Sequence, residues 1–152
     1  MDTEKLFKLL KENNVDFVII GATAFPVYGY SRATLDVDIF IRPERRNAEK
    51  VRQALRKFGY DLSDISIEDL LNNKLLIRQY FVETDIHPFV KGVSFNEVWE
   101  NKVKEVFGGT AVYFASLDDL IKMKKAAGRS KDKEDLKYLL KLKRIKKKQE
   151  KG

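Results

Sequence analysis

The chain has 152 residues, 43% apolar and 11% aromatic, which suits one folded domain with a real core and excludes a disordered chain. It contains no cysteine, so neither a disulfide framework nor a thiolate metal site is possible. The formal net charge is +7, and all of it sits at one end: Lys137 to Lys151 holds eight Lys or Arg and one acid, while residues 1–136 hold 22 basic and 22 acidic residues.

The opening segment, MDTEKLFKLLKENN, lacks the apolar centre of a signal peptide. No stretch reaches the ~20 apolar residues of a membrane helix, so a cytoplasmic location is expected. Residues 4–12 place Leu6, Phe7, Leu9 and Leu10 on one side of a helix. Asp16 to Ile20 (DFVII) reads as a buried strand ended by Gly21, with Ala22 to Tyr28 as a short helix that must hold Pro26 in its first turn or so. Leu35 to Ile41 (LDVDIFI) is a second strand. Pro43 suits a first helical position, and 44–58 is amphipathic up to a capping Gly59. Ser66 to Asn72 predicts a short helix. Leu75 to Phe81 and Val82 to Phe89 predict strands.

Ser94 with Glu97 forms a capping box ahead of a helix to Asn101. Gly108-Gly109 between Lys102–Phe107 and Ala111–Phe114 signals a hairpin. Ser116 and Asp119 open a helix that Gly128 stops, and a last helix runs from about Lys131 into the basic tail. The predicted class is α/β (α+β): a small mixed sheet with helices around it.

The chemistry-bearing residues are carboxylates inside apolar strands. Asp36 and Asp38 alternate with Leu35, Val37 and Ile39, so both fall on one face of a strand, with Cα atoms about 7 Å apart. Two such acids repel unless a hard divalent cation shares them. An Asp-x-Asp also suits a merely solvated sheet face. Asp85 interrupts a second apolar run, VETDIHPFV, and a neighbouring strand would bring it to the pair as the third ligand of a two-metal phosphoryl-transfer site. Glu83 is the other candidate there, and a strand-end turn residue before Pro88 is the plainer reading of Asp85. Gly21 and Ala22 at a strand-to-helix junction would offer backbone N–H groups to an anion. Thr23 would add a hydroxyl or cap the helix. Arg32 would neutralise phosphate, and Thr34 shares the face of Asp36. His87, the single histidine, falls on the face of Asp85 and is expected to contact substrate rather than metal.

Together these residues resemble the minimal nucleotidyltransferases of the DNA polymerase beta-like superfamily, and most closely the bacterial toxin and antitoxin branch. The likeness rests on Gly21-Ala22, on Arg32-Ala33-Thr34-Leu35-Asp36-Val37-Asp38, on the later Asp85, and on Leu117-Asp-Asp-Leu-Ile-Lys-Met-Lys124-Lys-Ala-Ala-Gly128-Arg129-Ser-Lys-Asp132. It implies the small nucleotidyltransferase fold and transfer of a nucleoside monophosphate from a nucleoside triphosphate, with Mg2+ or Mn2+ on Asp36, Asp38 and Asp85. Phosphate contacts would come from Gly21, Ala22, Thr23, Arg32, Thr34, Lys124 and Arg129. The family carries Ser or Gly where Ala22 stands, so one hydroxyl is missing here. On this likeness residues 1–136 form the nucleotidyltransferase domain and 137–152 its basic C-terminal helix or tail. That tail suits an RNA or tRNA partner by counterion release. The same likeness leaves room for a binding module that pairs with a cognate toxin or antitoxin instead of turning over nucleotide.

Overall fold

The computed structural model describes residues 2–31, 36–79 and 82–151. Among them are six strands in one sheet and six α-helices. In chain order these are α1 (Asp2–Glu12), β1 (Phe17–Ile20), β2 (Asp36–Ile41), α2 (Arg45–Phe58), α3 (Ile67–Asn72), β3 (Leu75–Ile77), β4 (Glu83–His87), α4 (Phe95–Asn101), β5 (Val103–Phe107), β6 (Thr110–Phe114), α5 (Leu117–Ala127) and α6 (Ser130–Lys151).

The strand order is β3-β4-β2-β1-β6-β5. The β1–β2, β3–β4 and β5–β6 pairs are antiparallel, whereas β2–β4 and β1–β6 are parallel. The sheet is therefore mixed, as its sequence implies. Every residue of β1 is buried, which accounts for its unbroken apolar run. In β2, Val37 and Ile39 are buried while Asp36 and Asp38 between them are not. That is the period-2 pattern of a strand with one working face. Leu6, Phe7 and Leu10 of α1 and Ala48, Val51 and Leu55 of α2 join the core, and Leu139 roots α6 in it.

Local chemistry sets most element ends. Ser66 with Asp69 and Ser94 with Glu97 form complete capping boxes, and the Ser116 hydroxyl accepts from the Asp119 amide. Gly59 and Gly128 end α2 and α5 with φ of 117° and 67°. Two expectations are corrected. Residues 21–28 are not a helix but two 3-10 turns, Gly21–Thr23 and Phe25–Tyr28, because Pro26 lacks the N–H that a continuous helix would use. Pro43 lies two residues before the first residue of α2, whose N-cap is Glu44. No described helix is long and apolar enough to cross a membrane.

One buried contact fixes β4. The Tyr60 hydroxyl donates to the carbonyl of Val82 at 2.6 Å and lies 2.9 Å from Thr84 Oγ1. Burial also raises the Tyr60 phenol above its ordinary pKa. β4 is thus tied from outside the sheet as well as by its two neighbours.

Candidate active site

Strand register decides which acids meet. In the parallel β2–β4 ladder Asp36 faces Glu83, Asp38 faces Asp85, and Phe40 faces His87. Alternation then brings Asp36, Asp38, Glu83, Asp85 and His87 to a single face of the two strands. Asp85 is buried, and Nε2 of His87 lies 2.8 Å from Oδ1 of Asp38, within hydrogen-bond distance. Ligand atoms of Asp38, Asp85 and His87 all lie within 4.8 Å of one another. Two carboxylates and an imidazole converging in this way fit a divalent cation, with the oxygens suiting Mg2+ or Mn2+ and the ring nitrogen favouring Mn2+ among those two. His87 therefore stands among the candidate ligands, closer to the acids than the sequence suggests.

Glu83 and Asp36 are hydrogen-bonded across the ladder. The hydrogen bond to Asp36 holds the Glu83 carboxyl above the usual carboxylate range, with lost hydration and the Asp36 and Asp85 charges adding to it and Arg78 opposing.

The turn at the end of β1 brings the backbone against this cluster. Gly21 has φ +69°, and a Cβ placed on it would stand 2.5 Å from Oδ2 of Asp38. Glycine is required here by both the left-handed backbone and the close approach of the carboxylate. Ala22 is buried, and the Thr23 hydroxyl donates to the carbonyl of Asp36 at 3.3 Å. That bond ties the turn to the start of β2. With only a three-residue turn at 21–23, there is no helix macrodipole behind Ala22. Arg32 and Thr34 lie outside the described residues.

The opposite wall comes from α5, α6 and their junction. Nζ of Lys124 sits 3.0 Å from Asp132 and 3.1 Å from Asp135, both buried. Arg129 donates through Nε and Nη2 to both oxygens of Asp132, at 2.6 and 3.2 Å. The Tyr30 hydroxyl bonds Asp135 at 3.1 Å. Burial alone would raise the Asp132 carboxyl, but the bonds from Arg129 and Lys124 outweigh it and bring its pKa down to about 2. Buried carboxylates persist only when paired in this way. Lys124, Arg129 and Asp132 line a cavity of about 140 Å3 together with Gly21, Asp38 and His87. Of the candidate site residues singled out in the sequence, this cavity gathers Gly21, Asp38, His87, Lys124 and Arg129. Asp36 instead faces Glu83.

Two cations escaped the sequence reading. Arg78, just past β3, places Nη1 2.6 Å from Asp85 Oδ1, Nε 3.6 Å from Glu83 and Nη2 3.9 Å from Asp36. Lys74, just before β3, lines the cavity with His87. Residues 74, 76 and 78 share a parity, so charges bracketing the apolar Leu75–Ile77 were the available signal.

Comparison with known proteins bears on what such a face does. A family model described as "nucleotidyltransferase of unknown function (DUF6036)" matches residues 2–146. A crystal structure of a candidate nucleotidyltransferase from Thermotoga maritima aligns with a TM-score of 0.56 at 18% identity, over 91% of this chain and 90% of that one. At that identity the likeness speaks to the fold. No curated protein matches the chain.

Proposed function

The chain belongs to this family of nucleotidyltransferases, and on that premise we propose that it transfers a nucleoside monophosphate from a nucleoside triphosphate to a hydroxyl of an RNA, such as a tRNA, or of a protein. The observation that carries this reading is the pairing of Asp38 with Asp85 across β2 and β4, beside Gly21 and a cavity lined by Lys124 and Arg129.

Asp38 and Asp85, with Asp36 alongside, are the oxygens that would hold Mg2+ or Mn2+. Such an ion, when bound, would offset negative charge on the phosphate oxygens. The acceptor oxygen would attack the α-phosphorus and pass its proton to Asp85, while pyrophosphate would leave towards Lys124 and Arg129. The Gly21 turn would present bare backbone to a phosphate bound beside Asp38. Nothing covalent is asked of the protein. Its contribution is positioning and charge.

The test is incubation with each α-labelled nucleoside triphosphate, Mg2+ and total cellular RNA and protein. Label should enter one acceptor class and vanish in Asp36→Asn/Asp38→Asn. Transfer that survives that double change would sink the assignment. The buried Ala22, where the resembling family has Ser or Gly, supports a second reading as a binding module for a toxin or antitoxin partner. That reading gains if no nucleotide yields label while the folded chain still captures a cognate protein.

A further inference from the structure

Arg78 has no part in the transfer as described, yet among the described residues it is the most heavily partnered cation on the acid face. Its three partners, Asp36, Glu83 and Asp85, come from both β2 and β4. Asp38 and His87 hold each other instead. Asp85 belongs to both groups, since its ligand atom also lies within 4.8 Å of those of Asp38 and His87. The acid face is thus divided into a half with a protein-borne cation and a half where Asp38, Asp85 and His87 bring their ligand atoms together.

Charge arithmetic gives the division a meaning. Asp36, Asp38, Glu83 and Asp85 form one carboxylate patch, and two divalent ions were the expected counter-charge. A guanidinium is permanently charged and planar, and it can serve two carboxylates at once. Being tethered just past β3, it competes for these oxygens intramolecularly, at an effective concentration that does not depend on the ions in solution. Glu83, an acid not counted among the metal ligands, completes its cradle.

We infer that Arg78 fills the place of the second cation on this face, leaving Asp38, Asp85 and His87 to hold a single exchangeable divalent ion. The inference rests on the metal-assisted reading above. It turns the expected two-metal site into one metal plus one arginine.

The test is Mn2+ binding to the full chain, followed by the electron paramagnetic resonance signal of free Mn2+. Wild type should take up one ion, Arg78→Gln two, and Arg78→Lys, which keeps the charge, one. Two ions in wild type or in Arg78→Lys would overturn the inference, as would a single ion in both wild type and Arg78→Gln. Either result leaves metal-assisted transfer standing. Absence of Mn2+ binding in every version would overturn the metal-assisted reading and this inference with it. Circular dichroism checks each variant, and if Arg78→Gln does not fold, the wild-type and Arg78→Lys stoichiometries decide.

Discussion

The imidazole Nε2 of His87 and Oδ1 of Asp38 lie 2.8 Å apart and are hydrogen-bonded, although 49 residues separate them in the chain. The ring is mostly enclosed. If the imidazole belongs to the ion's coordination shell or orients a ligand within it, His87→Ala should weaken Mn2+ binding by roughly 10- to 100-fold. A titration that returns the wild-type affinity would reassign His87 to substrate contact.

Gly21→Ala carries two penalties at once. An alanine at φ +69° sits in the left-handed region, and its methyl would meet Oδ2 of Asp38 at 2.5 Å. The backbone part alone costs about 1–2 kcal/mol. Urea unfolding should show a loss of at least that size, and Mn2+ affinity should fall with it because Asp38 must move. A stable variant with unchanged metal binding would show that the turn relaxes freely.

Acid should loosen the clamp between α5 and α6. Asp132 is depressed in the folded chain to about 2, against an ordinary value near 3.8. A depressed carboxyl stabilises the fold above its unfolded pKa and loses that contribution as pH falls through the folded value. About 2 kcal/mol should therefore disappear between roughly pH 4 and pH 2. Urea titrations at pH 5, 3 and 2 should show a shallower decline for Asp132→Asn than for wild type. Parallel declines would place the acid sensitivity elsewhere.

Most of the fold is readable locally. Helix ends follow from residues a few positions apart, such as Ser94 with Glu97 or Gly59 after α2, and the β5–β6 hairpin follows from Gly108-Gly109. The family resemblance is readable because its motifs keep their order along nearly the whole chain. Register is a different kind of information. That Asp38 meets Asp85 while Asp36 meets Glu83 depends on how two distant strands slide past each other. Arg78 was overlooked for that reason, since its significance lies on a neighbouring strand. Ala22 to Tyr28 reads as one helix in the sequence because two short 3-10 turns carry much the same apolar spacing at that length.

The tail has a buried root and a solvated end. Leu139 is fully buried and Tyr138 stacks on Tyr30, whereas Lys146, Lys147 and Lys148 are exposed. Charge reversal of those three lysines should leave the melting curve in place. It should weaken binding of single-stranded RNA and reduce the slope of log affinity against log salt by about 2. An unchanged slope would separate the basic end from RNA.

The central position of β2 and β4 bears on the order in which the molecule loosens. Both strands are paired on each side, while β3 and β5 form the sheet's borders. Opening that starts at a border releases Arg78 before it disturbs the ladder between Asp38 and Asp85. In a hydrogen-exchange measurement the backbone amides of β2 and β4 should exchange slowest, and those next to Arg78 faster. The carboxylate geometry thus inherits the rigidity of the sheet's interior, while the arginine inherits the looseness of its rim.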